Sequence, residues 1–236
     1  KEDTIYHGTF QDGFVRSGGL KFPKHPSIIK GRIRAALRQG TYERKEADAV
    51  LRVVRQGDRV LELGAGIGFM STHIAKARKI RDIYTFEANP HLIPYIQSVH
   101  EANDVNNVHV HNAILGKRKG SVPFYVRANL LASSMDERDG TNILATEEIE
   151  VRSANGVMRS LKPDVLVCDI EGAEAVLIPY MNLSTLRAAV IELHPQWIGP
   201  TGVNAVFRAF MDAGLAYFAK GSTNKVVSFR RNWPLR

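Results

Sequence analysis

The chain has 236 residues, enough for one ordinary domain and short for two. A composition of 44% hydrophobic and 24% charged residues supports a buried core and excludes a disordered chain, and the single cysteine, Cys168, excludes a disulfide framework or a Cys-rich zinc site. The formal net charge is +8, and most of the excess lies early: residues 1–45 hold ten Lys/Arg against four Asp/Glu, whereas residues 46–236 hold 22 against 20. No apolar run approaches the roughly 20 residues of a membrane span, and residues 1–10 lack the pattern of a signal peptide. The expectation is a cytoplasmic single-domain protein without a membrane partner.

Residues 1–25 are Gly-rich and aperiodic, and read as an extended arm or lid. Residues 27–39 place Ile28, Ile29, Ile33, Ala36 and Leu37 at helical spacing, with Gly40 as a stop. Thr41 reads as the N-cap of the next helix, whose apolar face is Ala47, Val50, Leu51 and Val54. A strand-helix rhythm then begins: strands at 59–63, 83–87 and 108–114, with helices at 69–79 and 91–103. Residues 116–155 break it with an inserted β-pair, 122–127 and 148–152, around a polar loop. Strands resume at 164–169 and 188–193, a helix follows at 203–213, and strands 215–219 and 226–230 flank a turn at 221–224. The pattern predicts a doubly wound, Rossmann-like, mostly parallel sheet of seven strands, its last two forming an antiparallel hairpin. A basic N-terminal segment, 1–40, precedes the domain proper, 41–236.

Glu62-Leu63-Gly64-Ala65-Gly66-Ile67-Gly68 follows the first strand of the rhythm and opens its helix. Glycines there let the backbone turn tightly and approach a ligand at the strand ends. The spacing is Gly-x-Gly-x-Gly after an acid, not the Gly-x-Gly-x-x-Gly of pyrophosphate binders, and no Gly-Lys-Ser/Thr follows. An acid before the loop suits the amino and sulfonium cations of S-adenosylmethionine. Glu87 ends the second strand, where a carboxylate can accept both ribose hydroxyls. Asn112-Ala113 end the third, where an Asn can pair with an adenine edge. Either residue could instead be structural, Glu87 on the surface and Asn112 in a turn.

The chain resembles the class I S-adenosylmethionine-dependent methyltransferases, and further motifs resemble the FkbM family. These are Gly40-Thr41-Tyr42-Glu43, Phe86-Glu87-Ala88-Asn89-Pro90, His111-Asn112-Ala113, Ala132-Ser133-Ser134, Asp169-Ile170-Glu171-Gly172-Ala173-Glu174 and Ile191-Glu192-Leu193-His194-Pro195. The match runs over roughly residues 40–230. The resemblance implies O-methylation of a hydroxyl on a sugar, polyketide or related metabolite, and leaves the acceptor open.

A neutral hydroxyl is a poor nucleophile, so a base or a metal usually assists methyl transfer. Asp169 and Glu171 follow one strand, Glu192 and His194 another, so the four can converge beside the methyl group. Asp169, Glu171 and His194 are the catalytic candidates. Tyr42, Glu43, Glu62, Gly64, Ala65, Gly66, Glu87, Asn112, Ala113 and Asp169 are the cofactor candidates. A divalent metal is compatible with the cluster but not required. Glu174 reads as capping or solvating the next helix, and Glu192 as positioning cofactor or substrate. Trp197 is either an acceptor-pocket wall or packing, Ser133 and Ser134 loop hydroxyls, and Cys168 a buried small hydrophobe.

Two other readings compete with a small-molecule acceptor. RNA is one, served by the basic N-terminal segment; it is disfavoured because residues 46–236 are nearly neutral and no Asn/Asp-Pro-Pro-aromatic motif is present. A non-catalytic binding module is the other. Self-association is compatible with the sequence.

Overall fold

The structure is a computed structural model, and it describes residues 11–127 and 143–231. Strands β1 (Gln11–Ser17) and β2 (Leu20–Lys24) form an antiparallel hairpin. Gly18 and Gly19 close it, both at positive φ, as a two-residue hairpin loop requires. The described part of the expected arm is therefore a built element. Val15, Leu20 and Phe22 are buried in the main core, and the Tyr95 hydroxyl donates to the Pro23 carbonyl at 2.8 Å.

Helix α1 (Gly31–Gln39) begins later than the periodicity predicts, because Ile28 and Ile29 are buried ahead of it. It ends at Gly40, left-handed at φ 66°, as expected. Helix α2 (Arg44–Val53) is preceded by Glu43, not capped by Thr41. Thr41 is still engaged in ending α1: its N–H donates to the Ala36 carbonyl at 2.9 Å and its hydroxyl faces the same oxygen at 3.4 Å.

The central sheet contains β3 (Arg59–Leu63), β4 (Asp82–Glu87), β5 (Val108–Asn112), β9 (Val165–Cys168), β10 (Ala188–Glu192), β11 (Ala216–Tyr217) and β12 (Val226–Arg230). Its spatial order is β11-β12-β10-β9-β3-β4-β5. The ladders from β10 through β5 are parallel, and β12 is antiparallel to both β10 and β11. This is the predicted seven-stranded, doubly wound sheet with its antiparallel hairpin.

Alternation along the inner strands feeds two cores. Val60, Val165, Val167, Ala188 and Val190 face one core, which is shared with α2, α3 (Phe69–Ala77), α4 (Ile93–Ala102) and the hairpin. Leu61, Leu63, Leu166, Cys168, Ala189 and Ile191 face the other, shared with α5 (Ala154–Leu161), α6 (Glu174–Leu177) and α7 (Pro195–Asp212). Burial on both faces explains the near-continuous apolar runs. Cys168 is 1% exposed, and burial raises its thiol pKa well above the ordinary value, so it is inert packing as expected.

The predicted strand 108–114 is two strands. The backbone leaves the main sheet at buried Ala113, and β6 (Ile114–Gly116) joins β7 (Gly120–Arg127) and β8 (Ile143–Ser153) in a separate sheet of order β6-β8-β7. The antiparallel β7–β8 pair is the expected insertion. Ser133 and Ser134 lie outside the described residues.

Candidate functional site

The C-terminal ends of β3, β4, β9 and β10 converge on one cavity of about 610 Å³. Such a crevice is where open α/β sheets take ligands. Tyr42, Glu43, Glu62, Gly64, Gly66, Glu87, Ala113, Asp169 and Glu171 all line it. Phe124 of β7 also lines it, so the insertion forms part of its wall.

The glycine loop is shaped by its neighbours. Gly64, at φ 86°, donates its N–H to the Phe86 carbonyl at 2.9 Å, and a Cβ on it would sit 1.8 Å from the Asp169 carbonyl oxygen. The β3 and β9 ends thus approach more closely than any side chain permits. Gly64→Ala is expected to destabilise the fold by more than about 2 kcal/mol, through clash and left-handed strain. The check is a fall in the urea midpoint. At Gly66 the N–H donates to Glu87 Oε2 at 3.0 Å, while Glu87 Oε1 accepts from Asn89 N–H at 2.8 Å. Glu87 therefore ties the loop to the end of β4. Burial raises its pKa, and those N–H donors partly offset the rise.

Glu62 is 1% exposed; Thr85 and Ser71 lie beside it and partly offset the effect of burial, but neither carboxylate oxygen has a well-formed hydrogen bond among the described residues. Burial pushes its pKa up to about 7. A buried carboxylate without a well-formed hydrogen bond, facing a cavity, fits a cationic ligand group. Glu43 sits before α2 at φ 45°, and its pKa is raised by burial and then by the Asp169 charge. Tyr42 packs edge-on against Phe69 at 5.3 Å.

Two cofactor candidates are placed differently. Ala65 is 5% exposed with its side chain in the core, and it is not among the cavity-lining residues. Asn112 donates its amide to the Glu87 and Ala88 carbonyls, both at 3.0 Å, and does not line the cavity. Its donors are committed to bracing the segment after β4 rather than to an adenine edge.

Beyond the loop the cavity turns acidic. Glu43, Glu46, Glu62, Glu87, Asp169, Glu171 and Glu192 line it, with no lysine or arginine among the described residues that do so. Asp169 Oδ1 is buried without a hydrogen-bond partner and lies 3.6 Å from His194 Nε2. Burial and then Glu192 push Asp169 up to about 7, with His194 pulling the other way. Glu171, left-handed at φ 46°, is raised chiefly by burial. Burial alone would lower the pKa of His194, but Glu174, Asp169 and Glu192 together raise it. The His194 ring stacks on Trp197 at 4.9 Å and 12°. Trp197 is not among the residues that line the cavity and packs instead on the imidazole.

Asp169, Glu192 and His194 each offer a ligand atom, all within 4.8 Å of one another. Two carboxylates and an imidazole suit a divalent first-row ion, so the donor set fits the metal that the sequence leaves open.

Two contributors to the site were not among the sequence candidates. Glu46 lies one helical turn after Glu43, and the i, i+3 spacing that brings both to the cavity was the available signal. Glu174, read as a cap or a solvated residue, is 0% exposed and accepts from His194. No local pattern marks it, because the contact joins α6 to the segment after β10.

A family model described as the TRM5/TYW2 methyltransferase domain matches residues 38–122. Among solved structures, Trm5b from Pyrococcus abyssi aligns at 16% identity and TM-score 0.51, covering 95% of this chain and 56% of that one. TYW2 from P. horikoshii, in complex with MeSAdo, aligns at 15% identity and TM-score 0.50, covering 90% and 67%. The chain therefore spans about half of Trm5b. No curated protein matches it by sequence. The fold is that of the class I S-adenosylmethionine-dependent methyltransferases, and residues 38–122 match a methyltransferase-domain model. Among the described residues, no helix is long and apolar enough to cross a membrane.

Proposed function

We propose that the protein transfers the methyl group of S-adenosylmethionine to a hydroxyl of a small molecule, a sugar, glycoside or polyketide-like metabolite. The observation that carries this reading is the buried His194 with Nε2 3.6 Å from Oδ1 of Asp169, a carboxylate that lines the acidic end of the cavity. The motif set resembling FkbM proteins supports the hydroxyl as acceptor. The described carboxylates that line the cavity favour a neutral or cationic acceptor over a phosphorylated one.

Glu87 accepts the ribose hydroxyls. Glu62, Tyr42 and Glu43 surround the methionyl end, and the Gly64-Ala65-Gly66 backbone lets the cofactor approach the sheet. Ala113 borders the adenine, and Asn112 holds the Glu87–Ala88 segment behind it. When bound, S-adenosylmethionine supplies a methyl on a sulfonium, and the C–S electron pair leaves with sulfur to give S-adenosylhomocysteine. Asp169 and Glu171 hold and orient the acceptor hydroxyl. His194 Nε2 takes its proton as the new O–C bond forms, and the surrounding carboxylates stabilise the imidazolium.

A second reading, RNA as the acceptor, is supported by the match to the TRM5/TYW2 domain and by α1, where Arg32, Arg34 and Arg38 are exposed and no acid is present. Incubation with methyl-labelled S-adenosylmethionine against hydroxylated metabolites and bulk transfer RNA separates the two. Label on a metabolite oxygen supports the first reading, and label confined to RNA overturns it. Transfer is expected to survive a chelator. Activity lost with chelator and restored by a divalent ion would make His194 a metal ligand rather than a base.

A further inference from the structure

We propose that Glu174 is the positioning residue that fixes the His194 imidazole with its proton on Nδ1, leaving Nε2 as the atom that accepts the acceptor's proton. The role of Nε2 in transfer rests on the function proposed above, but the tautomer does not.

Glu174 stands in the first turn of α6, 0% exposed. Its Oε1 accepts from the His194 backbone N–H at 2.9 Å and faces Nδ1 of the same residue at 3.3 Å. Its Oε2 accepts from the Gly172 N–H at 2.7 Å. Both oxygens thus accept from backbone N–H groups, the bonding of an ionised carboxylate. An ionised carboxylate can only accept, so the proton in that contact belongs to Nδ1. In the neutral ring Nε2 then carries the lone pair, and it is directed at Asp169 rather than into the core.

Ring orientation is fixed from a second side. Trp197 stacks on the imidazole, and Gly172, at φ 99°, leaves only 3.3 Å between a would-be Cβ and Trp197 Cβ. Gly172 thus admits Trp197 while donating to Glu174. A carboxylate that sets a histidine's tautomer and supports its cation is a recurring arrangement in proton-transfer sites. The other charged groups facing the ring are Asp169 and Glu171 after β9 and Glu192 on β10. They add to its basicity, but only Glu174 meets Nδ1.

The test is nitrogen-15 NMR of imidazole-labelled protein, with His194 assigned from a His194→Gln spectrum. The expected wild-type result above the imidazolium transition is a protonated Nδ1 and a bare Nε2. Glu174→Gln, whose amide can donate as well as accept, should let the ring carry its proton on Nε2 in part, and Glu174→Asp should restore Nδ1 protonation. A wild-type ring protonated on Nε2 would overturn the proposal even if Glu174→Gln failed to fold. So would a folded Glu174→Gln protein that retains the wild-type tautomer in full. These readouts are independent of turnover, so the tautomer and the catalytic use of His194 can fail separately.

Discussion

His194→Ala is expected to slow methyl transfer by about 100- to 10,000-fold, the usual worth of a positioned general base, while leaving S-adenosylhomocysteine affinity unchanged. The split follows from geometry. His194 does not line the cavity that contains the glycine loop, Glu62 and Glu87, and reaches it only through Nε2 opposite Asp169. Single-turnover rates with saturating cofactor, beside calorimetry on the same protein, provide the check. The pH dependence carries the same signature. Burial would lower the pKa of His194, but Glu174, Asp169 and Glu192 raise it above 6.5. A raised pKa means the base form is lost as pH falls through that higher value, so wild-type turnover should climb with pH through a midpoint above that of a free imidazole. Full turnover in His194→Ala would remove it from the chemistry.

Glu87→Ala should weaken S-adenosylhomocysteine binding at least about 100-fold. Two hydrogen bonds donated by the ribose hydroxyls to a charged acceptor are together worth roughly 3–6 kcal/mol. The substitution also strips the Gly66 and Asn89 N–H groups of their acceptor, loosening the turn that shapes the cofactor's approach. Glu87→Gln should lose less, because its amide oxygen can still receive one N–H. Calorimetric titration measures both. An unchanged affinity in Glu87→Ala would remove the ribose from this carboxylate.

Much of this architecture is legible in the sequence because it follows period and punctuation. The runs 59–63, 164–169 and 188–193 are apolar on both faces, and the sheet buries them on both. Gly40 stops its helix through a local backbone preference that needs no distant partner. The discrepancies arise where a distant contact decides. The Gly18-Gly19 pair is a hairpin signal, but the strands around it gain stability only by packing Val15 and Phe22 against the domain. Thr41 has the chemistry of an N-cap, yet the end of α1 claims it first. Strand 108–114 looks continuous because the chain stays extended when it passes from one sheet to another at Ala113.

The site divides in the same way. Glu62, Glu87 and the glycine loop sit at strand ends, so a correct strand assignment finds them. Asn112 occupies the expected position, but its amide is spent on the Glu87 and Ala88 carbonyls. Glu174 and Trp197 act through His194, and the contacts that give them meaning join segments 20 residues apart or depend on how a ring is turned. Residue type and spacing carry no trace of either.

The most direct measurement is calorimetric titration of the folded protein with S-adenosylhomocysteine. One site with micromolar affinity, weakened at least about 100-fold by Glu87→Ala and retained in His194→Ala, is the predicted result. No heat and no binding at millimolar ligand would contradict the account at its centre.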